Sequence, residues 1–246
     1  MTVALMPFQL LAIRTRLIGP DRIPRFWHSV AARLLGFRVR LHGEMSTCRP
    51  LLVVSNHISW SDIVLYGAAA ELAFVAKADM AKWPGFGPLA KLHRSVFVER
   101  ENRRRSGDQA REVADRLGQG DVIVLFAEGT TTDGNSLLPF KSTLFGAVQS
   151  LAAAVPDRPV FVQPAAIRYQ RQHGIPLGRS DRARVAWVGD EDLVPNIGWL
   201  LRHGAIDVDI AFGEPIEVAG KVDRKALSRE AEARVRDLLR KLRGRP

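Results

Sequence analysis

Two short runs constrain this chain more than anything else in it: Leu-Leu-Val-Val-Ser at 51–55 and Asp-Val-Ile-Val-Leu-Phe at 121–126. A strand that is apolar at successive positions must be covered on both faces, which is how inner strands of a parallel sheet sit between helical layers. Around them the pattern alternates. Short β runs are expected at 37–41, 72–77, 95–99, 159–164, 184–188 and 206–212, and helices at 60–71, 101–117, 141–154 and 223–242. Gly118 and Gly120 close the second of these helices. Residues 79–93, broken by Pro84, Gly85, Gly87 and Pro88, read as irregular. The expected fold is an α/β domain over residues 37–246, with a mainly parallel or mixed sheet flanked by helices. A chain of 246 residues can bury such a core as one domain. Ligands of such sheets bind beyond the carboxyl ends of the strands. The loops to read are therefore those after Ser55, Val98, Phe126 and Val162.

The first loop runs Ser-Asn-His-Ile-Ser-Trp-Ser-Asp from Ser55 to Asp62. A carboxylate that holds one imidazole nitrogen as N–H leaves the other free to take a proton from an attacking hydroxyl. His57 and Asp62 are thus a candidate general-base dyad. Five residues of ideal helix rotate about 140°, so the pair cannot meet from mid-helix. It meets if His57 lies on the turn and Asp62 in the first helical turn, where Ser59 as N-cap would aim the carboxylate back over the helix start. Asp62 could equally be a plain capping residue. Six histidines and fifteen aspartates make one such pair by chance about one time in three, so its place after a buried strand is what singles it out.

The loop after Phe126 reads Ala127-Glu128-Gly129-Thr130-Thr131-Thr132-Asp133-Gly134. It offers backbone N–H groups, a carboxylate and hydroxyls to a polar head group, or forms only a polar turn. Arg100 closes strand 95–99, either pinning an anion or standing as one more solvated arginine beside Arg103, Arg104 and Arg105. Residues 162–167 carry no ionisable side chain; they are expected to form a wall, with Pro164 ending ladder pairing.

The net charge of +10 is confined to the ends. Residues 1–50 hold eight Arg against Asp21 and Glu44, and residues 223–246 hold nine Lys/Arg against four Asp/Glu. The middle is nearly neutral. Basic ends suit an anionic surface or are simply solvated helix faces. At the N-terminus, residues 1–13 are apolar except Thr2 and Gln9, then Arg14 and Arg16 follow. As helix they span about 20 Å, short of the roughly 30 Å hydrocarbon core. Their charges also follow the apolar run, the reverse of a secretory signal. In residues 24–37, Phe26, Trp27, Val30, Leu34 and Leu35 form a helical stripe, with Arg25, His28, Ser29 and Arg33 off it. Residues 1–36 therefore read as a two-helix membrane-surface anchor, or else as helices packed on the core.

Several chemistries lack their signatures: there is no G-x-S-x-G elbow, Walker loop, G-x-G-x-x-G or zinc spacing. No aromatic RNP-like strand or zinc knuckle supports nucleic-acid binding. Cys48 is the sole cysteine, in keeping with a reducing compartment. His28, His42, His93, His173 and His203 have no carboxylate five residues on and are read as surface or structural.

Four ordered blocks resemble the 1-acylglycerol-3-phosphate acyltransferase family. They are the N-H-x4-D run from Asn56 to Asp62, Val96-Phe97-Val98-Glu99-Arg100, Phe126-Ala127-Glu128-Gly129-Thr130, and residues 160–167 around Pro164. The resemblance implies a glycerolipid acyltransferase-like fold with His57 as general base and Asp62 orienting it. It also implies that Arg100, Glu128, Gly129 and Thr130 bind the acceptor, with no metal, no cofactor and no covalent acyl-enzyme. The partners implied are an acyl carrier protein or coenzyme A thioester, a lysolipid and an anionic membrane surface, at the cytoplasmic face of the cell membrane. Ala127 replaces the family's usual Pro. Thr131 stands where glycerophosphate-using members have Arg, which removes a charge-assisted phosphate contact. With Leu138-Pro139-Phe140-Lys141 and residues 186–190, this is similar to the lyso-ornithine lipid O-acyltransferase branch. Lys141 could stand in for the missing Arg, which leaves a phosphatidate-forming reaction as the alternative. Two rivals keep other roles for the same residues: a non-enzymatic membrane-binding module, and a lipid hydrolase in which the dyad activates water.

Overall fold

The protein is described here from a computed structural model, over residues 2–15, 19, 21–82, 86–98, 106–189 and 192–243. Its strands are β1 (Phe37–His42), β2 (Leu51–Ser55), β3 (Ala73–Lys77), β4 (Val96–Val98), β5 (Val122–Phe126), β6 (Val160–Gln172), β7 (Ile175–Pro176), β8 (Ile206–Phe212) and β9 (Ile216–Val218). Its helices are α1 (Thr2–Thr15), α2 (Arg22–Leu34), α3 (Ser61–Ala69), α4 (Phe86–Leu92), α5 (Ser106–Gly118), α6 (Gly146–Ala154), α7 (Arg179–Val185), α8 (Leu193–His203) and α9 (Arg224–Arg243).

The strands form one mixed sheet in the order β1-β8-β6-β2-β5-β3-β4, with β7 and β9 also paired to β6. β2 sits at its centre, parallel to both β5 and β6. Every residue of β2 and β5 is buried, as their unbroken apolar runs require. Leu52, Val54, Ile123 and Leu125 pack with α5, α6 and α9, while Leu51, Val53, Val122 and Val124 pack with α2 and α3 on the opposite face. The mixed α/β architecture expected from the alternation is present.

Several local expectations are corrected. Residues 79–93 are not irregular: a 3-10 turn (Ala78–Lys82) and α4 occupy most of them. The run 184–188 alternates like a strand, yet Arg184 and Val185 end α7, where Gly178 N–H donates to the Asp181 carboxylate at the helix start. The expected helix at 141–154 begins as a 3-10 turn (Ser142–Phe145) before α6. Pro164 does not end its strand. Its carbonyl accepts from Gly213 N–H at 2.8 Å, so its missing N–H faces the same gap between β9, which pairs up to Val162, and β8, which pairs from Ala165. No ladder donor is needed there.

The N-terminal helices seat polar residues inward. α2 buries Pro24, His28 and Ala32, and leaves Phe26 and Leu34 exposed. α1 buries Gln9 and Ala12 and exposes Phe8, Leu10 and Leu11. The fully buried positions of both helices are thus polar or small, while Leu5, Met6, Ile23 and Trp27 line a cleft with Leu89 and Leu92 and the exposed large apolar residues point outward. Gln9 donates to Leu92 O, Trp27 Nε1 to Thr2 Oγ1, and His28 Nε2 meets His93 Nδ1 at 3.0 Å. Burial pushes the His28 imidazole well below its ordinary value, with His93 adding to the effect, and burial lowers His93 to about 4. Two neutral rings therefore share one proton in this contact. Among the described residues no helix is long and apolar enough to cross a membrane.

α2 reaches α3 this closely because position 67 has no side chain: a Cβ on Gly67 would lie 2.2 Å from His28 Cδ2. Gly67→Ala should therefore destabilise the fold by about 1–3 kcal/mol through overpacking, and a His28→Ala change in the same chain should recover part of that loss. Thermal unfolding of the three proteins checks this; an undisturbed melting temperature for Gly67→Ala would contradict the packing.

Candidate active site

The carboxyl end of β2 is where the chain meets its chemistry. After Ser55 the backbone leaves the sheet and enters α3 at Ser61. His57 lies on that turn and Asp62 in the first turn of the helix, so the pair meets as the geometry of the spacing requires. His57 Nδ1 is 2.8 Å from Asp62 Oδ2. The same oxygen accepts the backbone N–H of Ile58 at 2.7 Å and of Ser59 at 3.1 Å. Asp62 is thus both the partner of His57 and a cap of its own helix; the residue preceding the helix is Trp60 rather than Ser59.

Asp62 is fully buried, and its other oxygen, Oδ1, accepts from Tyr169 Oη at 2.7 Å. Tyr169 is held in turn by Ser61 Oγ at 2.7 Å. A buried carboxylate that only accepts hydrogen bonds forces Nδ1 of the facing imidazole to be the donor. Nε2 is then the ring's free acceptor. The ring stacks on Phe126 with centroids 3.9 Å apart and planes within 9°, and the side chain keeps 13% of its exposure.

A second carboxylate fixes the backbone of the same residue. Glu128 Oε1 accepts His57 N–H at 2.8 Å and Oε2 accepts Leu138 N–H at 2.8 Å. Burial raises Glu128 to about 7, against the pull of those two N–H groups. His57 O is held by Thr132 N–H at 3.0 Å and Thr132 Oγ1 at 3.2 Å. Opposite, Trp187 N–H donates to Ile58 O and Trp60 Nε1 to Asn196 Oδ1.

Gly129 turns with φ +75°, and a Cβ on it would lie 2.9 Å from Lys141 Nζ. The Lys141 ammonium therefore lies against the Glu-Gly turn, with Thr130 exposed beside it. The structure brings together His57, Asp62, Glu128, Gly129 and Lys141; Arg100 lies outside the described residues. Sequence reasoning missed Tyr169, Ser61, Thr132 and the Phe126 ring face. Only Tyr169 had a signal, since a phenol in an apolar strand needs a hydrogen-bond partner. Among the described residues no group of three or more His, Cys, Asp or Glu is placed to hold a metal.

The acyltransferase family profile matches residues 38–168, more than half of the chain, and takes in His57, Asp62, Glu128, Gly129 and Lys141. The chain belongs to the acyltransferase family. It is 48% identical over 97% of its length to a lyso-ornithine lipid O-acyltransferase of Brucella abortus, covering 90% of that protein. It is 47% identical over 99% of its length to one from Rhizobium meliloti, covering 84% of that protein. A crystal structure of the 1-acyl-sn-glycerophosphate acyltransferase of Thermotoga maritima superposes with a TM-score of 0.65 at 23% identity. That alignment covers 98% of this chain and 89% of the other. The fold of this acyltransferase is therefore the glycerolipid acyltransferase fold.

Two outcomes test the site as built. Tyr169→Phe removes one hydrogen bond from a buried carboxylate and should cost about 1.5–3 kcal/mol in denaturant unfolding; no loss would mean that Asp62 does not need the phenol. Glu128 prefers its neutral form in the fold. Its contribution is full below the unfolded value of 4.5 and is lost as pH rises through about 7, by on the order of 3 kcal/mol. Wild type should lose stability over that window relative to Glu128→Gln, which does not titrate; parallel pH profiles of the two would refute it.

Proposed function

We propose that this acyltransferase moves a fatty acyl group from a thioester, carried by an acyl carrier protein or coenzyme A, to the hydroxyl of a lysolipid. Lyso-ornithine lipid is the acceptor that the reading favours. One observation carries it: an imidazole whose Nδ1 is committed to a buried carboxylate, in a chain so close along its whole length to two lyso-ornithine lipid O-acyltransferases.

In the proposed reaction the acceptor hydroxyl reaches His57 Nε2. As its oxygen attacks the thioester carbonyl, its proton passes to Nε2 and Asp62 stabilises the imidazolium. The tetrahedral intermediate collapses with cleavage of the C–S bond, and the departing thiolate recovers the proton. No metal or cofactor takes part. Glu128 has both oxygens committed to backbone, so its part is to hold His57 in place rather than to touch the lipid. Gly129, Thr130 and Lys141 form the side of the turn left for the acceptor head group, with Arg100 as a further binding residue.

The outward Phe8, Leu10, Leu11, Phe26 and Leu34 support attachment to a membrane surface, with α1 and α2 lying in the interface; the cytoplasmic face of the cell membrane is the side proposed. Lys141 against Gly129 favours one second reading: an ammonium at the Glu-Gly turn also suits the phosphate of a 1-acylglycerol-3-phosphate.

One experiment separates these. Purified wild type and His57→Ala are supplied with acyl–carrier protein and either lyso-ornithine lipid or 1-acylglycerol-3-phosphate. Wild type should acylate the first acceptor in preference, and His57→Ala should lose about 10²–10⁴-fold in rate with an unchanged melting curve. Preference for the glycerophosphate selects the second reading, and near-normal turnover by His57→Ala ends the dyad mechanism.

A further inference from the structure

Across the sheet edge from the dyad lies a group of arginines that the reaction above does not use. Along β2, Ser55 and His57 face the α2–α3 side, where they meet Tyr66 and Phe126. Along β6, Ile167 faces that side too, whereas Arg168 points with Ala166 toward α9. There two adjoining clefts of about 480 and 320 Å³ share Asn135, Arg168 and Arg243. Arg179 and Arg182 complete the first, and Arg236 and Arg240 rim the second.

Arg168 is the unusual member. It is only 6% exposed, yet the one hydrogen bond of its side chain among the described residues is Nε to Gln170 Oε1 at 3.2 Å. Its cross-strand neighbour Asp209 is already taken by Arg40 at 2.7 Å and Gln170 at 2.8 Å. Burial, followed by Arg182 and Arg243, lowers the Arg168 guanidinium to about 10. Among the described residues Arg182 reaches only the neutral oxygens of Asn135 and Leu177, and its buried Nε has no partner. Arg243 donates to Asn135 O. Arg236 and Arg240, by contrast, are paired to Glu232 and Asp237 on their own helix. Three guanidinium groups thus converge, and among the described residues none of them forms an ion pair with a carboxylate: Asp133 acts on Arg182 only at longer range and is held by Asn135, and Asp209 is engaged by Arg40 and Gln170. A buried unpaired cation is expensive unless an anion joins it.

Resting on the acyl-transfer reading, we propose that this cleft binds the phosphate of the phosphopantetheine arm that carries the acyl thioester. Two observations choose the donor over the acceptor. Asn56, the residue before His57, lines the cleft and clamps both peptide groups of Ile167, accepting from its N–H at 2.9 Å and donating to its carbonyl at 3.0 Å. A donor anchored at Arg168 is therefore fixed to the catalytic loop. The cleft also opens between α7 and α9, and none of the outward apolar side chains of α1 and α2 lines it, so a water-soluble donor and a lipid acceptor can reach His57 from different sides. A zwitterionic ornithine head would bring an ammonium into a cluster of cations; a phosphate brings only negative charge, and guanidinium forks match its oxygens.

The test uses two small thioesters, acyl-phosphopantetheine and acyl-pantetheine, that differ only in the phosphate. Wild type should favour the phosphorylated one in kcat/KM. Arg168→Gln, and separately the exposed Arg243→Gln in case the first fails to fold, should cut that preference about tenfold or more, the loss of one charge-assisted contact. Acyl–carrier protein and acyl-coenzyme A assayed in parallel identify the source of the phosphate by which KM rises in the variants. An equal loss on both thioesters, or a rise confined to the KM for the lysolipid, overturns the proposal. Failure of wild type to transfer acyl groups from any thioester would instead overturn the acyl-transfer reading beneath it.

Discussion

The carboxylate of Asp62 is the interaction on which the rest of the site depends. It is sealed from solvent, and a buried charge is tolerable only when hydrogen bonds replace its water. Four donors do so: His57 Nδ1, the N–H groups of Ile58 and Ser59, and Tyr169 Oη. Two of the four are backbone groups at the start of α3, where an acidic side chain also suits the helix dipole. The one residue therefore starts the helix, bends the chain out of β2 and aligns the imidazole. Because the backbone donors fix the carboxylate, the His57 ring has one orientation available to it, and that rigidity is what a general base needs.

Glu128 performs the complementary task on the main chain. β5 delivers it beside β2 because the two strands pair in register, Ser55 opposite Phe126. One carboxylate then grips the side chain of His57 and the other its peptide N–H, while Thr132 takes its carbonyl. The Phe126 ring lies flat against the imidazole. His57 is thus held at every polar atom except Nε2, and the parts come from two neighbouring strand ends and the loop after the second. The parallel pairing of β2 with β5 explains why two blocks so far apart in sequence act on one residue.

The parts of this structure legible in the sequence were those with a local cause. β2 and β5 announce themselves because residues buried on both faces must be apolar throughout, and His57 with Asp62 because both sit on one strand-to-helix turn. What escaped was decided by distant partners. Tyr169 meets Asp62 only because β6 lies next to β2. Pro164 survives within β6 only because one neighbour ends and another begins beside it. Val-Ala-Trp-Val after Arg184 mimics a strand, but the helix before it continues to Val185. The stripe drawn on α2 left His28 off its apolar side, since an imidazole ranks as polar, with its role open between surface and structure; the opening at Gly67 and the partner His93 make it a buried structural residue.

The inward seating of polar residues bears on where the enzyme works. A helix on a water-soluble domain normally buries its apolar face, whereas α1 and α2 seat Gln9 and the His28–His93 pair inward and leave Phe8, Leu10, Leu11, Phe26 and Leu34 outside. Each such side chain forgoes about 1.5–3 kcal/mol that burial would supply, and clustered apolar exposure of this kind marks a surface meant to be covered. On the proposed reading the cover is the membrane that holds the acceptor. Polar contacts then suit the inner face of these helices: together with Leu5, Met6, Ile23 and Trp27, which line one cleft with Leu89 and Leu92, they hold α1 and α2 on the domain, while Phe8, Leu10, Leu11, Phe26 and Leu34 remain available to the bilayer.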